Sequence, residues 1–303
     1  MTDRPSLALG NITDTAEVQA QVADIVRRFA PGHDMSRVDA AFELVRRGFR
    51  GELDGFAPLK TLYHNVVHTN EVVLCAARML HGLDLAGRTL DADHLDATLI
   101  GALFHDSGYL MRHAEAVGTG AQFTPVHVDR GVLFAHEHLA ELPPTVLQAV
   151  VKVIQITDHR RSPEGWVRFD NPQQELAAYA TATADLVGQM ANREYLERLL
   201  LLYFEFEEAG SGIFSDVHAL LEGTAIFYRV TKSRLDNELK GLSVHLRHHF
   251  AAVGSEDRNF YAESIARNLA YLDRLVRESR AKRLEMLKRG GIVEQARGLR
   301  PIE

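Results

Sequence analysis

The sequence predicts an all-α protein, and three observations carry that expectation. Apolar residues recur three and four positions apart through most of the chain. Pairs such as Pro31-Gly32 and Gly210-Ser211-Gly212 punctuate those segments. No stretch sustains the apolar–polar alternation that a sheet needs, and a run such as Trp166-Val167-Arg168-Phe169 is too isolated to pair.

In order, residues 16–30 (AEVQAQVADIVRRFA) form the first amphipathic segment, and residues 36–49 repeat the pattern before Gly51, Gly55 and Pro58. A third helix is expected from about Tyr63 to Leu80, ending near Gly82. Asp91 or Asp93 is placed to cap a fourth, because a carboxylate there can accept the unsatisfied first-turn N–H groups. That helix runs through LDATLIGALFHD to Gly108. Further helices are expected at about 126–140, 144–157, 173–190, 192–209, 215–231 and 257–288. Breaks at Gly118–Thr124 and Ser162–Pro172 read as loops within one domain, since candidate ligands lie on both sides of each. These segments divide into N-terminal helices (1–55), a core (56–210) and a C-terminal helical extension (211–303), whose residues 289–303 read as a loosely held tail.

Bulk properties exclude several roles. Of 303 residues, 46% are hydrophobic and 25% charged, the balance of an ordinary globular chain. A formal charge of −7 argues against a nucleic-acid duplex or an anionic membrane as partner, since both depend on surplus Lys and Arg. No apolar run approaches the roughly 18 residues that span a bilayer. Met1-Thr2-Asp3-Arg4-Pro5 lacks the basic and apolar parts of a signal peptide, and the lone Cys75 fits a reducing compartment, so a cytoplasmic location is expected. Cys75 lies in the apolar run Val72–Ala77 and reads as buried and structural.

The 15 histidines are the feature that asks for chemistry. On a helix, His64 and His68 of Tyr63-His64-Asn65-Val66-Val67-His68 would be separated by about 400° and so share one face. Alone, such a pair reads equally as two packed or exposed rings. In Ala102-Leu103-Phe104-His105-Asp106-Ser107-Gly108, an apolar face ends in adjacent His and Asp. Burying that Asp has a desolvation cost, which a divalent cation would offset; a turn-capping Asp is the plainer reading. Asp185 interrupts the small-residue run Thr181-Ala182-Thr183-Ala184 and by itself reads as a solvent-facing acid. His136-Glu137-His138 lacks the spacing of a zinc-binding H-E-x-x-H helix and reads as a solvated face. The Arg274–Arg283 charge run reads as an exposed helix face.

Taken together, His68, His105-Asp106 and Asp185 resemble the H…HD…D signature of the HD-domain metal-dependent phosphohydrolase superfamily. Within it, YHNVVH resembles the Y-H-N-x-x-H segment of class I cyclic-nucleotide phosphodiesterases, and LLYFEFEEAG (201–210) resembles the E-F-x-x-Q-G stretch after the last metal Asp of that family. The resemblance covers roughly residues 60–210 and implies an HD-domain helical bundle. It implies His68, His105, Asp106 and Asp185 as metal ligands and His64 as the acid that protonates the leaving oxygen. Pro125-Val126-His127 to Gly131 and Ile156-Thr157-Asp158-His159 resemble extra histidine segments of bacterial HD-GYP-like hydrolases. By that likeness His127 and His159 complete a second metal centre bridged by Asp106.

The implied cofactors are two divalent ions drawn from Mg, Mn, Fe, Ni or Zn, ligands of this kind accepting several metals. They would lower the pKa of a water so that hydroxide attacks phosphorus in line. Asn65 and Arg160 are the expected substrate contacts, Arg being suited to phosphate. The implied substrate is a small phosphate ester, with a nucleotide, and a cyclic one most sharply, leading a phosphodiesterase reading. The rivals are a nucleotide phosphomonoesterase and a non-catalytic metal- or nucleotide-binding signalling module. The C-terminal helices offer a surface for a homodimer.

Overall fold

The structure, a computed structural model, describes residues 9–161, 167–254 and 256–302. Among them the chain is all-α: thirteen α-helices joined by short 3₁₀ turns, with no strand and a single antiparallel bridge between Phe56 and Arg112. The N-terminal residues Met1–Pro5 and Trp166 lie outside the described residues, as does part of the expected Ser162–Pro172 loop.

Helix α1 (Thr15–Phe29) is capped by Asp14, whose carboxylate accepts from the N–H groups of Ala16 and Glu17, and α2 is Ser36–Arg50. The centre of the molecule is α3 (Val66–Leu85), in which every side chain from His68 to Leu83 is buried. α4 (Ala92–Phe104) is buried from Leu95 to its end, and Asp91 is its cap, accepting from His94 N at 2.9 Å. A helix without a polar face has to sit inside, with other helices on all sides. α3 and α4 meet this by packing on each other and on α7 (Pro172–Ala191). Small residues in α7, Ala177 to Ala184, let the three axes approach closely.

Around this centre, α1 lies on α3 and α2 on α4. α6 (Pro144–Ile156) covers α4 from another side, and α5 (His127–His138) packs on α6 and on the turn that follows α4. α8 (Tyr195–Glu208) and α9 (Val217–Ser233) follow, then α10 (Leu246–Ala252) and α11 (Phe260–Leu275), which pack against α3 and α7. α12 (Arg280–Met286) and α13 (Ile292–Leu299) end the chain. One continuous apolar core runs from Val18 to Ala296, so all three sequence segments contribute to it. Cys75 is fully buried within it, and burial pushes its thiol up to about 12. No described helix is long and apolar enough to cross a membrane.

Three expectations are corrected. The helix expected from Tyr63 starts at Val66, because Asn65 is extended (φ −128°, ψ −174°) and caps it by accepting from Val67 N. The single helix expected over 257–288 breaks after Leu275. Arg283, expected on an exposed face, is buried there and donates to the carbonyls of Val276 and Glu278 that the break frees, and to Glu222. Residues 292–299 are a helix rather than a loose tail, with Ile292, Val293 and Ala296 buried and the helix packed on α8.

Candidate metal centre

Four segments converge at one end of the α3–α4–α7 layer. α3 delivers His68 from its first turn, the residues following α4 deliver His105 and Asp106, and α7 delivers Asp185. His127 is the first residue of α5. Gly108 makes that last approach feasible: a Cβ at this position would stand 1.8 Å from the His127 carbonyl oxygen.

His68, His105 and Asp185 each offer a ligand atom, all within 4.8 Å of one another. The His68 and His105 Nε2 atoms are 3.2 Å apart. Asp106 Oδ2 is 3.4 Å from the first and 3.2 Å from the second, and Asp185 Oδ1 is 3.3 Å from His68 Nε2. His105 Nδ1 donates to the Ala102 carbonyl at 2.8 Å, which fixes that nitrogen as the protonated one and turns Nε2 to the cluster. Asp106 Oδ2 is buried with no hydrogen bond, although it faces two imidazoles. An oxygen so placed is costly to bury without a partner. The donor set (imidazole nitrogens and carboxylate oxygens around one point) suits a divalent transition ion or Mg, and the group fits these residues.

Electrostatics couples these groups to one another. Burial opposes ionisation of Asp106, but His105, His64 and His68 outweigh it and hold its carboxyl well below the usual carboxylate range. Burial likewise opposes charge on Asp185, which His68 and His105 nevertheless keep low. For His68, burial opposes protonation while Asp185 and Glu71 favour it, and the balance pushes it up to about 10. The two carboxylates are thus kept ionised, with the raised His68 imidazole as their protonated partner.

Two acids that the sequence did not single out support this set. Glu205 of α8 is buried and accepts from the Tyr63 and His64 N–H groups at 2.6 and 3.3 Å, and its other oxygen meets His64 Nδ1 at 2.5 Å. It holds the His64 loop in place and occupies the Nδ1 side of the ring. The only sequence signal for it was its place in the LLYFEFEEAG likeness. Glu71, one turn beyond His68, lies 3.6 Å from His68 Nδ1 and accepts from buried Arg198 at 2.8 Å. Nothing in the sequence separates it from a surface acid.

His64 sits before the helix rather than on it, yet its ring centroid is 5.7 Å from that of His68. It stacks on Tyr109, which stacks in turn on His127, both at 4.7 Å. His127 Nδ1 donates to Thr124 O, and its Nε2 is 3.8 Å from Asp106 Oδ1. His159 shares the same cavity of about 270 Å³, with its ring edge-on to Phe227 and no place in the tight cluster. Burial lowers the proton affinity of both His127 and His159. Asn65 and Arg160, expected at the substrate, do not line this cavity. Asn65 spends its side chain on the α3 cap and the Leu62 carbonyl. Arg160 forks onto Asp158 at 2.8 and 2.9 Å and reaches the Pro125 carbonyl, clamping the end of α6 to the start of α5.

Residues 110–234 match the model of the Npun_R2479-like family, a stretch that holds His127, His159, Asp185 and Glu205 but stops short of His64, His68, His105 and Asp106. No curated protein and no solved structure matches the chain.

Proposed function

We propose that this chain is a metal-dependent phosphoric ester hydrolase of the HD-domain type. The observation that carries the reading is the convergence of His68, His105, Asp106 and Asp185 from three helices and a turn, with a buried Asp106 oxygen left without a hydrogen bond. A purely structural helix bundle gains nothing from that arrangement, since each buried ion has to be compensated.

When bound, a divalent cation supplies Lewis acidity toward the phosphoryl oxygens and a water acidic enough to attack at neutral pH. The chain's own part is then to hold and move protons. Asp106, kept ionised, faces the two imidazoles and also His127, and would be a ligand for a cation held there. In the hydrolysis, a P–O bond forms to water and the P–O bond to the alcohol breaks. His64 hands its Nε2 proton to the departing alkoxide, while Glu205 on Nδ1 stabilises the charged ring before transfer. Such general-acid help is worth roughly two to four orders of magnitude in rate.

The test is elemental analysis of the purified chain joined to hydrolysis of bis(4-nitrophenyl) phosphate and 4-nitrophenyl phosphate with added Mn²⁺, Ni²⁺, Fe²⁺, Zn²⁺ or Mg²⁺. Bound metal with turnover supports the reading, and the ester that is cleaved separates a diesterase from a monoesterase. Bound metal without turnover of any ester identifies a binding module, and failure to bind any of the ions removes both.

A further inference from the structure

The wall opposite the metal cluster carries a second message. α8 and α9 and the loop between them line the cavity with Leu199, Leu202, Phe206, Phe214, Leu220 and Phe227. No Lys or Arg is among the described residues lining it. A polyphosphate or a multiply charged nucleotide would meet no cation there beyond those held by the cluster itself.

The polar side chains on the wall are already committed. Tyr63 donates to Gln189, and Gln189 donates to Asp185. Thr157 and Thr224 bond to the carbonyls of Ile154 and Leu220, and Thr124 to that of Ala121. Reading the edge of a nucleobase requires unspent donors and acceptors in fixed positions, and a polar edge left unmatched on burial costs affinity. Outside the cluster and His64, Tyr195 and His159 are the lining side chains with no hydrogen bond to another described residue.

The apolar surface continues out of the cavity. Ile213 and Phe227 belong to its wall and are also exposed, 67% and 36%. Ile226 and Val230 are 58% and 66% exposed and stand with Phe227 on α9, spaced three and four residues apart along one side of the helix. Single exposed apolar residues are ordinary, but a run of them at the mouth of a cavity marks a binding surface.

From this, resting on the hydrolase reading above, we infer that the substrate is a phosphate ester whose organic part is a bulky apolar group: an alkyl, aryl or polyprenyl chain that fills the α8–α9 wall and leaves past Ile213 and Phe227. The phosphate faces the metal cluster, and the apolar body occupies the uncharged side.

The experiment uses the full chain loaded with Mn²⁺ and two non-hydrolysable probes below their aggregation limits, methylphosphonate and octylphosphonate, alongside adenosine 5′-monophosphate, each titrated calorimetrically. Octylphosphonate binds about 100-fold more tightly than methylphosphonate, the ratio expected when roughly three to four of its additional methylenes are buried at about fourfold each. That ratio narrows about tenfold in Phe227→Ser and, as a second variant at an exposed loop position, in Ile213→Ser. Equal affinity for the two phosphonates overturns the inference, as does adenosine monophosphate binding more tightly than octylphosphonate with no response to either variant. Turnover of aryl phosphates measured on the same preparation keeps the two readings apart. Turnover without apolar preference sinks the inference alone, and no turnover with any metal sinks the hydrolase reading and the inference with it.

Discussion

Helix α3 carries a close histidine pair near each end, and the two pairs behave in opposite ways. Near its start, His68 meets His105 with Nε2 atoms 3.2 Å apart. Near its end, His81 meets His249 with Nδ1 atoms 3.0 Å apart. The first pair is ringed by Asp106, Asp185 and Glu71, and both rings are pushed toward protonation. The second is buried against Phe29 with Arg28 and Arg78 nearby and with Asp84 as its acid. Burial drives His81 down, and burial with Arg78 drives His249 down to about 3. Two imidazoles in contact therefore say little about metal. The carboxylates around them decide whether the pair is pushed toward protonation or away from it.

The comparison can be broken most forcefully at Asp106. Asp106→Ala removes the oxygen that faces both imidazoles, and metal content and ester turnover are both expected to be lost, turnover by at least about 1000-fold. The same measurement on His249→Asn should leave metal stoichiometry unaltered, and a loss there would erase the distinction between the two pairs.

His64→Ala comes next, with turnover falling about 100-fold or more while elemental analysis still finds metal. Metal lost with activity retained would reverse the roles of His64 and His68. Glu205→Gln keeps the shape but weakens the hold on His64 Nδ1, and about a 10-fold drop in turnover is expected, with the alkaline limb of the pH–rate profile displaced to lower pH.

A smaller effect tests the pair at the other end of α3. The unfolded chain protonates His249 below its ordinary 6.5, and the folded chain does not until about 3. Stability contributed by this group is present above 6.5 and is lost as pH falls through that window, by at most about 1.4 kcal/mol per pH unit. Urea unfolding between pH 7 and pH 4 should show the slope, and His249→Asn should flatten it. Smallest is Asn65→Ala, which removes the α3 cap and should cost about 1 kcal/mol in the same assay.

The fold was legible where the apolar pattern was strong. α1, α2, α6 and α7 lie within a residue or two of their expected positions, since amphipathic or wholly apolar helices announce themselves. The start of α3 was misplaced because its cap depends on Glu205, far along the chain, holding the Tyr63 and His64 amides out of the helix. The break after Leu275 was hidden because Arg283, part of an apparent solvent face, turns inward to satisfy freed carbonyls. At the site, His68, His105, Asp106 and Asp185 came from family likeness, and Asp185 in particular has no local signature. Glu71 was out of reach because its partner Arg198 lies on another helix, and a buried ion pair of that kind leaves no periodic trace.

Gly108 deserves a last consequence. The tightest backbone approach around the site lies behind the cluster, between this glycine and the His127 carbonyl. The Asp106 turn and the first residue of α5 thus behave as one rigid block, and His127 cannot drift from Asp106 without the chain parting there. A methyl group at position 108 would act as a wedge, prising Asp106 away from His127 while the His68–His105 contact, braced by α3 and α4, stays in register.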